Sequence, residues 1–308
     1  MTHHFDAIIL GAGPAGLTAG IYLARSHVNT LIIDEGIPGG QMVLSHAIAN
    51  YPGIPETTGA GIARNMVKQA KSFGCKVVSQ AEITRISLTG DVKEIDVADE
   101  GTFTADAVII ATGGVPRTLG LESEKQFKGS GISYCATCDG DFFTGKEIVA
   151  IGGGNSSLEE SVSLAKYASK VTIIHEFDHF QAHPWAVKEA EANDRIHFLL
   201  AQEVTGFEGE ERLRAVVTRD KKTGEIYKIP AEGCFIFIGY VPNTAPFKDI
   251  LHLNERGEII TDDNLATNLP GVFAAGDNRN KKIRQITTAV ADGTIAALSV
   301  SAYLQSKA

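Results

Sequence analysis

Cys135 and Cys138 form a Cys-x-x-Cys pair in the run Cys135-Ala-Thr-Cys-Asp-Gly140. Two thiols at this spacing can close a small ring without rearranging the chain. One of them can attack a partner disulfide while the other resolves the mixed disulfide. The competing reading is half of a zinc site, which needs four ligands, usually a second such pair or histidines at matched spacing. The remaining cysteines, Cys75 and Cys234, are single and distant, so a redox dithiol is the better reading and no metal is expected. Cys234 lies in the apolar run Cys-Phe-Ile-Phe-Ile and Cys75 follows Gly74 at the end of a predicted helix; both are expected to be buried small hydrophobes. His175, His179 and His183 recur every four residues, but Pro184 and a strand ending at Ile174 argue against the continuous helix a metal site would need there. Asp139 directly follows the second cysteine. It reads either as a proton carrier for the pair or as the aspartate of an Asp-Gly turn.

A second kind of chemistry is written in glycine. Phe5 to Leu10 reads as a short apolar strand, followed by Gly11-Ala-Gly-Pro-Ala-Gly16, a helix-permissive run from Leu17 to Arg25, and a strand from Thr30 to Ile33 that ends in Asp34-Glu35. Asp34 lies 23 residues beyond Gly11. This is the β-α-β unit of a dinucleotide-binding domain: glycines admit the pyrophosphate to the backbone, and a terminal acid receives the ribose hydroxyl. The pattern repeats 141 residues later. Strand Glu147 to Ile151 leads into Gly152-Gly-Gly-Asn-Ser-Ser157, a helix to Tyr167 and strand Val171 to Ile174. Two nucleotide sites in one chain point to an enzyme that moves electrons between two cofactors; the alternative is a second unit kept only as scaffold.

The 308 residues suffice for about two domains, and the composition, 44% hydrophobic and 21% charged, is that of an ordinary globular protein. Disorder, collagen and coiled coil are excluded. No apolar stretch approaches the roughly 18 residues of a membrane helix, and Ala7 to Leu10 is too short for a signal-peptide core, so a cytoplasmic protein is expected. A net charge of -9 opposes any general attraction to nucleic acid or an anionic membrane. Between the fingerprints the spacing predicts a helix from Gly59 to Phe73, a β-meander from Lys76 to Thr104, and a strand from Ala107 to Thr112. After the second unit come strands near His197 to Ala201, Leu213 to Thr218 and Cys234 to Ile238. The last stretch, Gly271-Val-Phe-Ala-Ala-Gly-Asp277 with a helix from Ile286 to about Tyr303, is a strand, turn and helix aimed at a phosphate-bearing ligand. The fold class is therefore α/β, with two Rossmann-like dinucleotide-binding domains, one inserted into the other. The expected limits are 1–114 and 244–308 for the split domain and 115–243 for the inserted one. The basic runs Arg219-Asp-Lys-Lys222 and Arg279 to Arg284, with Lys281 and Lys282, read as solvated turns, with a docking patch for an acidic partner as the alternative. Trp185 is expected to pack locally or against the cofactor domain.

The order of Gly11 to Gly16, Gly39-Gly-Gln-Met42, Ala111-Thr-Gly113, Cys135 to Gly140, Gly152 to Ser157 and Gly271 to Asp277 resembles the low-molecular-weight thioredoxin reductases over nearly the whole chain. The resemblance implies a split FAD domain, an inserted pyridine-nucleotide domain carrying the dithiol, a homodimer, and a thioredoxin-like protein as disulfide partner. It also implies residue roles. Gly11, Gly13, Ala15 and Gly16 would face the FAD pyrophosphate, Asp34 or Glu35 the adenosine ribose, and Gly40, Gln41 and Asn50 the flavin side. Ala111, Thr112 and Gly113 would close over the FAD. Gly276 and Asp277 would take a ribityl hydroxyl while Arg284, Gln285 and Ile286 approach the flavin. Asp139 would be the acid or base of the thiol chemistry, with an affinity for protons raised by partial burial. Gly152, Gly154, Asn155 and Ser156 would hold the nicotinamide nucleotide. The inserted domain would rotate about a hinge near Pro116 and Pro242.

One segment departs from the family. Members specific for NADPH carry His-Arg-Arg-x-x-x-Arg after the second strand of the inserted unit, and here it reads His175-Glu176-Phe177-Asp178-His179-Phe180-Gln181. A carboxylate at Glu176 repels a 2′-phosphate and accepts from a free 2′-hydroxyl. NADH is therefore expected to serve better than NADPH, with reduced ferredoxin as the alternative donor and a flavin-binding redox sensor without turnover as the alternative class.

Overall fold

The structure, a computed structural model, describes residues 2–45 and 48–307. The chain opens with β1 (Thr2–Leu10), α1 (Pro14–Arg25), β2 (Thr30–Asp34), α2 (Gly59–Ser72), β3 (Lys76–Ser79), β4 (Ile83–Ser87), β5 (Lys93–Val97) and β6 (Gly101–Ile110). One sheet takes these strands in the order β3-β2-β1-β6-β5-β4. Ala7 to Leu10, Leu31 to Ile33 and Ala107 to Ile110 are buried without polar alternation, which only a sheet covered on both faces allows. Alternate side chains serve the two faces. Ala7, Ile9, Ile32 and Ile109 pack under α1 and α2, whereas Ile8, Leu10, Leu31, Ile33, Val108 and Ile110 pack with the β4–β5 hairpin, Phe247 and Leu251.

The stretch from Lys76 to Thr104 is not one meander. β3 pairs parallel to β2, and only β4, β5 and the start of β6 run antiparallel. β6 also absorbs most of the strand expected from Ala107, because no breaker interrupts Gly101 to Ile110 and β1 pairs with it from Thr102 through Ile110.

Two compact units emerge, Met1–Val115 with Val241–Ala308, and Pro116–Tyr240; they change at 115 and 240 where the sequence reading placed 114 and 243. From β7 (Gly114–Pro116) the chain continues through α3 (Glu122–Phe127), β8 (Ile132–Ser133), α4 (Ala136–Asp139), β9 (Glu147–Ile151), α5 (Asn155–Leu164), β10 (Lys170–Ile174), α6 (Pro184–Glu191), β11 (Ile196–Leu199), β12 (Gln202–Gly209), β13 (Leu213–Asp220), β14 (Ile226–Pro230) and β15 (Gly233–Ile236). The second unit holds a parallel sheet, β11-β10-β9-β15-β8, and an antiparallel one, β12-β13-β14. Helices α5 and α6 cover one face of the parallel sheet, and Phe207, Leu213 and Val216 of the antiparallel sheet join the cluster on the other. Cys234 is in that second cluster and Cys75 in the core under α1. Burial pushes the Cys75 thiol up to about 12 and Cys234 well above its ordinary value, so neither supplies a thiolate near neutral pH.

The chain returns through β16 (Tyr240–Pro242), which pairs with β7. β17 (Val272–Ala274) then pairs parallel with Val108 to Ile110 of β6, and α7 (Ile286–Lys307) closes the chain, running four residues past the expected end. α7 packs closely on α1, since a Cβ on Gly293 would stand 2.2 Å from the Ala15 carbonyl oxygen.

Candidate active site

The structure joins Cys135 and Cys138 in a disulfide with Cα atoms 5.3 Å apart. The bridge spans the single-turn helix α4, where the Cys138 N–H donates to Cys135 Sγ at 3.2 Å. That contact stabilises charge on Cys135 once the bridge opens. Asp139 is more than a turn residue: Ser133, from β8, donates to its Oδ2 at 2.5 Å and accepts from the Cys135 N–H at 3.1 Å. Both cysteines and Asp139 are half-buried. Ser133 carried no sequence signal, being a lone serine on a two-residue strand.

In the first unit, Gly11 donates to Ile33 O at 2.8 Å and has φ +106°; a Cβ there would stand 2.4 Å from the Ala111 carbonyl oxygen. Gly13 caps α1 without a side-chain hydrogen bond, and a Cβ on it would meet nothing within 4 Å. An uncapped helix start with open space before it is a cradle for an anion. Gly39 N–H donates to Ala12 O at 2.7 Å, which brings Gly40 beside Gly13, 3.2 Å from Cβ position to Cα. Ala15 and Gly16 are buried, Ala15 against Gly276 and Gly293. Gln41 is the second residue of the 3-10 turn Gly40–Leu44 and, like Asn50, is exposed.

Of the two acids after β2, Asp34 is engaged by the loop itself. Its carboxylate accepts from Ala12 N at 2.5 Å and from Gly36 N at 2.7 Å. Glu35 instead lines a recess of about 180 Å³ with Leu10, Thr84, Arg85, Thr112 and Phe247.

Thr112 and Gly113 are tied in place rather than loose. Thr112 Oγ1 donates to Asn243 O at 2.7 Å, Asn243 Nδ2 donates to Thr112 O at 3.0 Å, and Asn278 Nδ2 donates to Ile110 O at 2.9 Å. Ala111 is buried and continues the ladder, donating to Leu10 O at 2.8 Å. Asp277 Oδ1 is buried without a hydrogen-bond partner among the described residues, and burial raises its carboxyl above the ordinary value, against the pull of Lys281 and Arg284. An orphaned carboxylate oxygen beside an open phosphate cradle fits a ligand hydroxyl donor.

The basic run from Arg279 to Arg284 is not a solvated turn. Arg279 makes two bonds to Asp292, at 2.9 and 3.0 Å, and Lys281 a third at 2.8 Å. Burial alone would raise Asp292, but these cations outweigh it and hold the carboxyl below its usual value. Asp292 also accepts from Gly276 N at 3.0 Å, so α7 fixes the loop that presents Asp277. Arg284 is paired with the buried Glu258, beside Gln285 and Ile286 at the start of α7. Sequence reasoning missed both carboxylates because each lies 11 residues or more from its cation. Lys282 alone of the four cations is exposed and makes no ion pair among the described residues.

The second fingerprint repeats the first. Gly152 donates to Ile174 O at 3.0 Å, Gly154 caps α5 with no side-chain bond, and a Cβ on Gly154 would meet nothing within 4 Å. Ser157 is fully buried and donates to Gly152 O at 3.0 Å, so serine serves at the third small position. Segment 175–183 forms no helix and folds over this loop: Gln181 N–H donates to Gly153 O at 2.8 Å, and His183 N–H to Asn155 Oδ1 at 2.7 Å. Ser156 is exposed beside it. His175 lies against Gly153, where a Cβ would stand 2.3 Å from its ring. Burial holds the imidazole below its ordinary value, and hence neutral at pH 7. Glu176 is exposed, with Lys221 Nζ 3.7 Å from Oε2 and 5.3 Å above the Phe177 ring. The β13–β14 turn is thus no free solvated run; it delivers Lys221 to this segment because Lys221 N–H donates to Ala201 O and Gln202 N–H to His175 O. Trp185, expected to pack, is 55% exposed at the start of α6.

The chain matches the pyridine nucleotide-disulphide oxidoreductase family over residues 5–293. It is 42% identical over 304 residues to the thioredoxin reductase of Bacillus subtilis (strain 168), covering 98% of this chain and 95% of that protein. It is 40% identical over 312 residues to the thioredoxin reductase of Peptoclostridium acidaminophilum, covering 99% and 98%. The crystal structure of thioredoxin reductase from Streptococcus pyogenes MGAS5005 is 39% identical and superposes with a TM-score of 0.93, covering 98% of this chain and 99% of that one.

Proposed function

The chain belongs to the pyridine nucleotide-disulphide oxidoreductase family, among its low-molecular-weight thioredoxin reductases, and from that premise we propose how its own residues carry the reaction. It is an FAD-dependent disulfide oxidoreductase that uses a pyridine nucleotide and reduces thioredoxin. Bound FAD would supply the electron pair for opening the Cys135–Cys138 bridge. Gly11 and Gly13 would hold its pyrophosphate at the α1 start, Gly40 beside Gly13 would face its flavin side, Glu35 would receive the adenosine ribose, and Asp277 Oδ1 would accept from the ribityl chain. Asp34 and Asp292 shape the loops instead of touching the ligand.

The bridge with Asp139 beside it is the observation that carries this reading. Cys135, whose sulfur the Cys138 N–H supports, attacks one sulfur of the thioredoxin disulfide, and the other leaves as a thiolate that takes a proton. Cys138 then gives its proton to Asp139 as its sulfur attacks Cys135 Sγ. The mixed disulfide breaks, and the second thioredoxin sulfur leaves and is protonated. Two electrons and two protons pass to thioredoxin, and the bridge closes. Cys135→Ser or Cys138→Ser abolishes thioredoxin reduction while the flavin absorbance persists. Near-normal turnover in either variant places the chemistry elsewhere, and a protein that shows no flavin bands after supplementation with FAD has no such function.

NADH is the proposed nicotinamide donor, because Glu176, Phe177 and Gln181 stand where a 2′-phosphate would need cations. Lys221 offsets the Glu176 charge only weakly, since both side chains are about half exposed. Reduced ferredoxin is the second donor reading, favoured by those same absent arginines; the open cradle at Gly154 favours the nucleotide. Anaerobic flavin reduction by NADH, NADPH and reduced ferredoxin in parallel separates them. A homodimer is proposed through the outer face of α7, where Ile295 and Leu298 are exposed. No helix among the described residues is long and apolar enough to cross a membrane, and a cytoplasmic location is proposed.

A further inference from the structure

The hydroxyl of Ser133 stands between the redox bridge and the carboxylate beside it. Ser133 ends β8, its backbone fixed by pairing with Phe235 of β15, and it is 6% exposed. A hydroxyl has one proton and two lone pairs. The Cys135 N–H occupies one lone pair at 3.1 Å. Two acceptors compete for the proton: Asp139 Oδ2 at 2.5 Å and the Cys135 carbonyl oxygen at 3.5 Å. With the carboxylate ionised, the shorter, charge-assisted bond wins.

When Asp139 is protonated the same three atoms allow a second arrangement. The acid O–H donates to the free lone pair of Ser133 Oγ, and the serine proton turns to the Cys135 carbonyl. The Cys135 N–H bond is unchanged in both. The Ser133 hydroxyl keeps one donated and at least one accepted hydrogen bond in either state.

We propose that Ser133 is a positioning residue for the dithiol chemistry, a hydroxyl anchored on the Cys135 N–H that rotates to hold Asp139 in one place through both of its protonation states. The proton that Asp139 takes from Cys138 during exchange therefore causes no reorientation of the carboxyl group. Ser133 neither gains nor loses a proton in the cycle. The proposal rests on the proton-carrying role given to Asp139 above.

The test is a double-mutant cycle on the whole flavoprotein, with the dithiol first reduced by dithiothreitol, the excess removed, and a bacterial thioredoxin in its disulfide form added in rapid mixing. This single turnover does not depend on the electron donor. Asp139→Asn is expected to slow it about a hundredfold, the lower end for a lost general acid–base. Ser133→Ala is expected to slow it roughly tenfold with half-saturation by thioredoxin unchanged, the factor that about 1.4 kcal/mol represents. Ser133→Thr, which keeps the hydroxyl, is expected to restore the rate. Because Ser133 acts through Asp139, the double variant is no slower than Asp139→Asn alone; a merely structural serine would multiply the two losses. A Ser133→Ala rate within twofold of the parent, or multiplying losses, overturns the role of Ser133 while leaving that of Asp139 intact. An Asp139→Asn variant as fast as the parent removes the proton-carrying role and the proposal with it.

Discussion

The two fingerprints share a backbone and differ in what the second strand sends back to it. Gly11 N–H reaches Ile33 O as Gly152 N–H reaches Ile174 O, so Asp34 and His175 occupy equivalent places, as do Glu35 and Glu176. In the first unit a short carboxylate bonds the Ala12 N–H and leaves room for the alanine methyl. In the second the buried imidazole takes that room, and the facing residue, Gly153, has no side chain. Each loop is therefore matched to its own strand end. The carboxylate that follows is free in the first unit to line a recess, while in the second it shares its field with Lys221. One β-α-β scaffold thus ends in two different strand tips, and one side chain at the tip decides which loop sequence is tolerated.

The largest expected effect breaks the shared part. Gly11→Ala combines a left-handed φ with a backbone clash and is expected to cost about 3 kcal/mol or more, read as lost flavin and a lowered melting temperature. Gly153→Ala strikes the part that differs, since its clash is with the His175 ring. It is expected to cost about 1–3 kcal/mol, typical of overpacking, and His175→Ala in the same chain relieves it. A Gly153→Ala loss that His175→Ala leaves unchanged breaks the pairing of loop and strand tip.

The donor comes next. Replacing Glu176, Phe177 and Gln181 with arginine is expected to move preference from NADH toward NADPH, each charge-assisted contact contributing about 1.5–3 kcal/mol. Glu176→Gln alone, which frees Lys221, shifts it the same way by less. Stopped-flow flavin reduction reads both. Faster reduction of the unaltered protein by NADPH than by NADH refutes the role of Glu176, and failure of both nucleotides puts ferredoxin first.

The smallest effect concerns Asp277. Its carboxyl is raised by burial, so the folded apoprotein binds a proton that the unfolded chain has released, and stability from this group falls as pH rises through the raised value. Asp277→Asn in the FAD-free protein is therefore expected to be neutral near pH 4 and stabilising by about 1 kcal/mol near pH 7, measured by denaturant unfolding, while it weakens FAD binding. Equal stability changes at both pH values would deny that the orphaned oxygen is an apo-state strain.

Much of the chemistry was legible locally. Cys135 and Cys138 are three residues apart, and each fingerprint lies within one β-α-β unit, so type and spacing favoured a redox dithiol over half a zinc site and pointed to two glycine-rich loops after buried parallel strands. Set beside the family's His-Arg-Arg-x-x-x-Arg pattern, the sequence also showed Glu176, Phe177 and Gln181 where the arginines stand. What it left undecided depends on groups brought together across the chain. Asp34 and Glu35 look interchangeable until the loop hydrogen bonds claim one of them. Arg279 and Lys281 read as solvated until α7 sets Asp292 beneath them, and Lys221 reads as a turn residue until the β13–β14 hairpin sets it against Glu176. A charge is defined by its partners and its access to water, and those follow from packing between distant segments rather than from neighbours in the chain. Ser133 shows the same limit at short range: six residues separate it from Asp139, but only the strand and the helix turn between them aim its hydroxyl at the carboxylate.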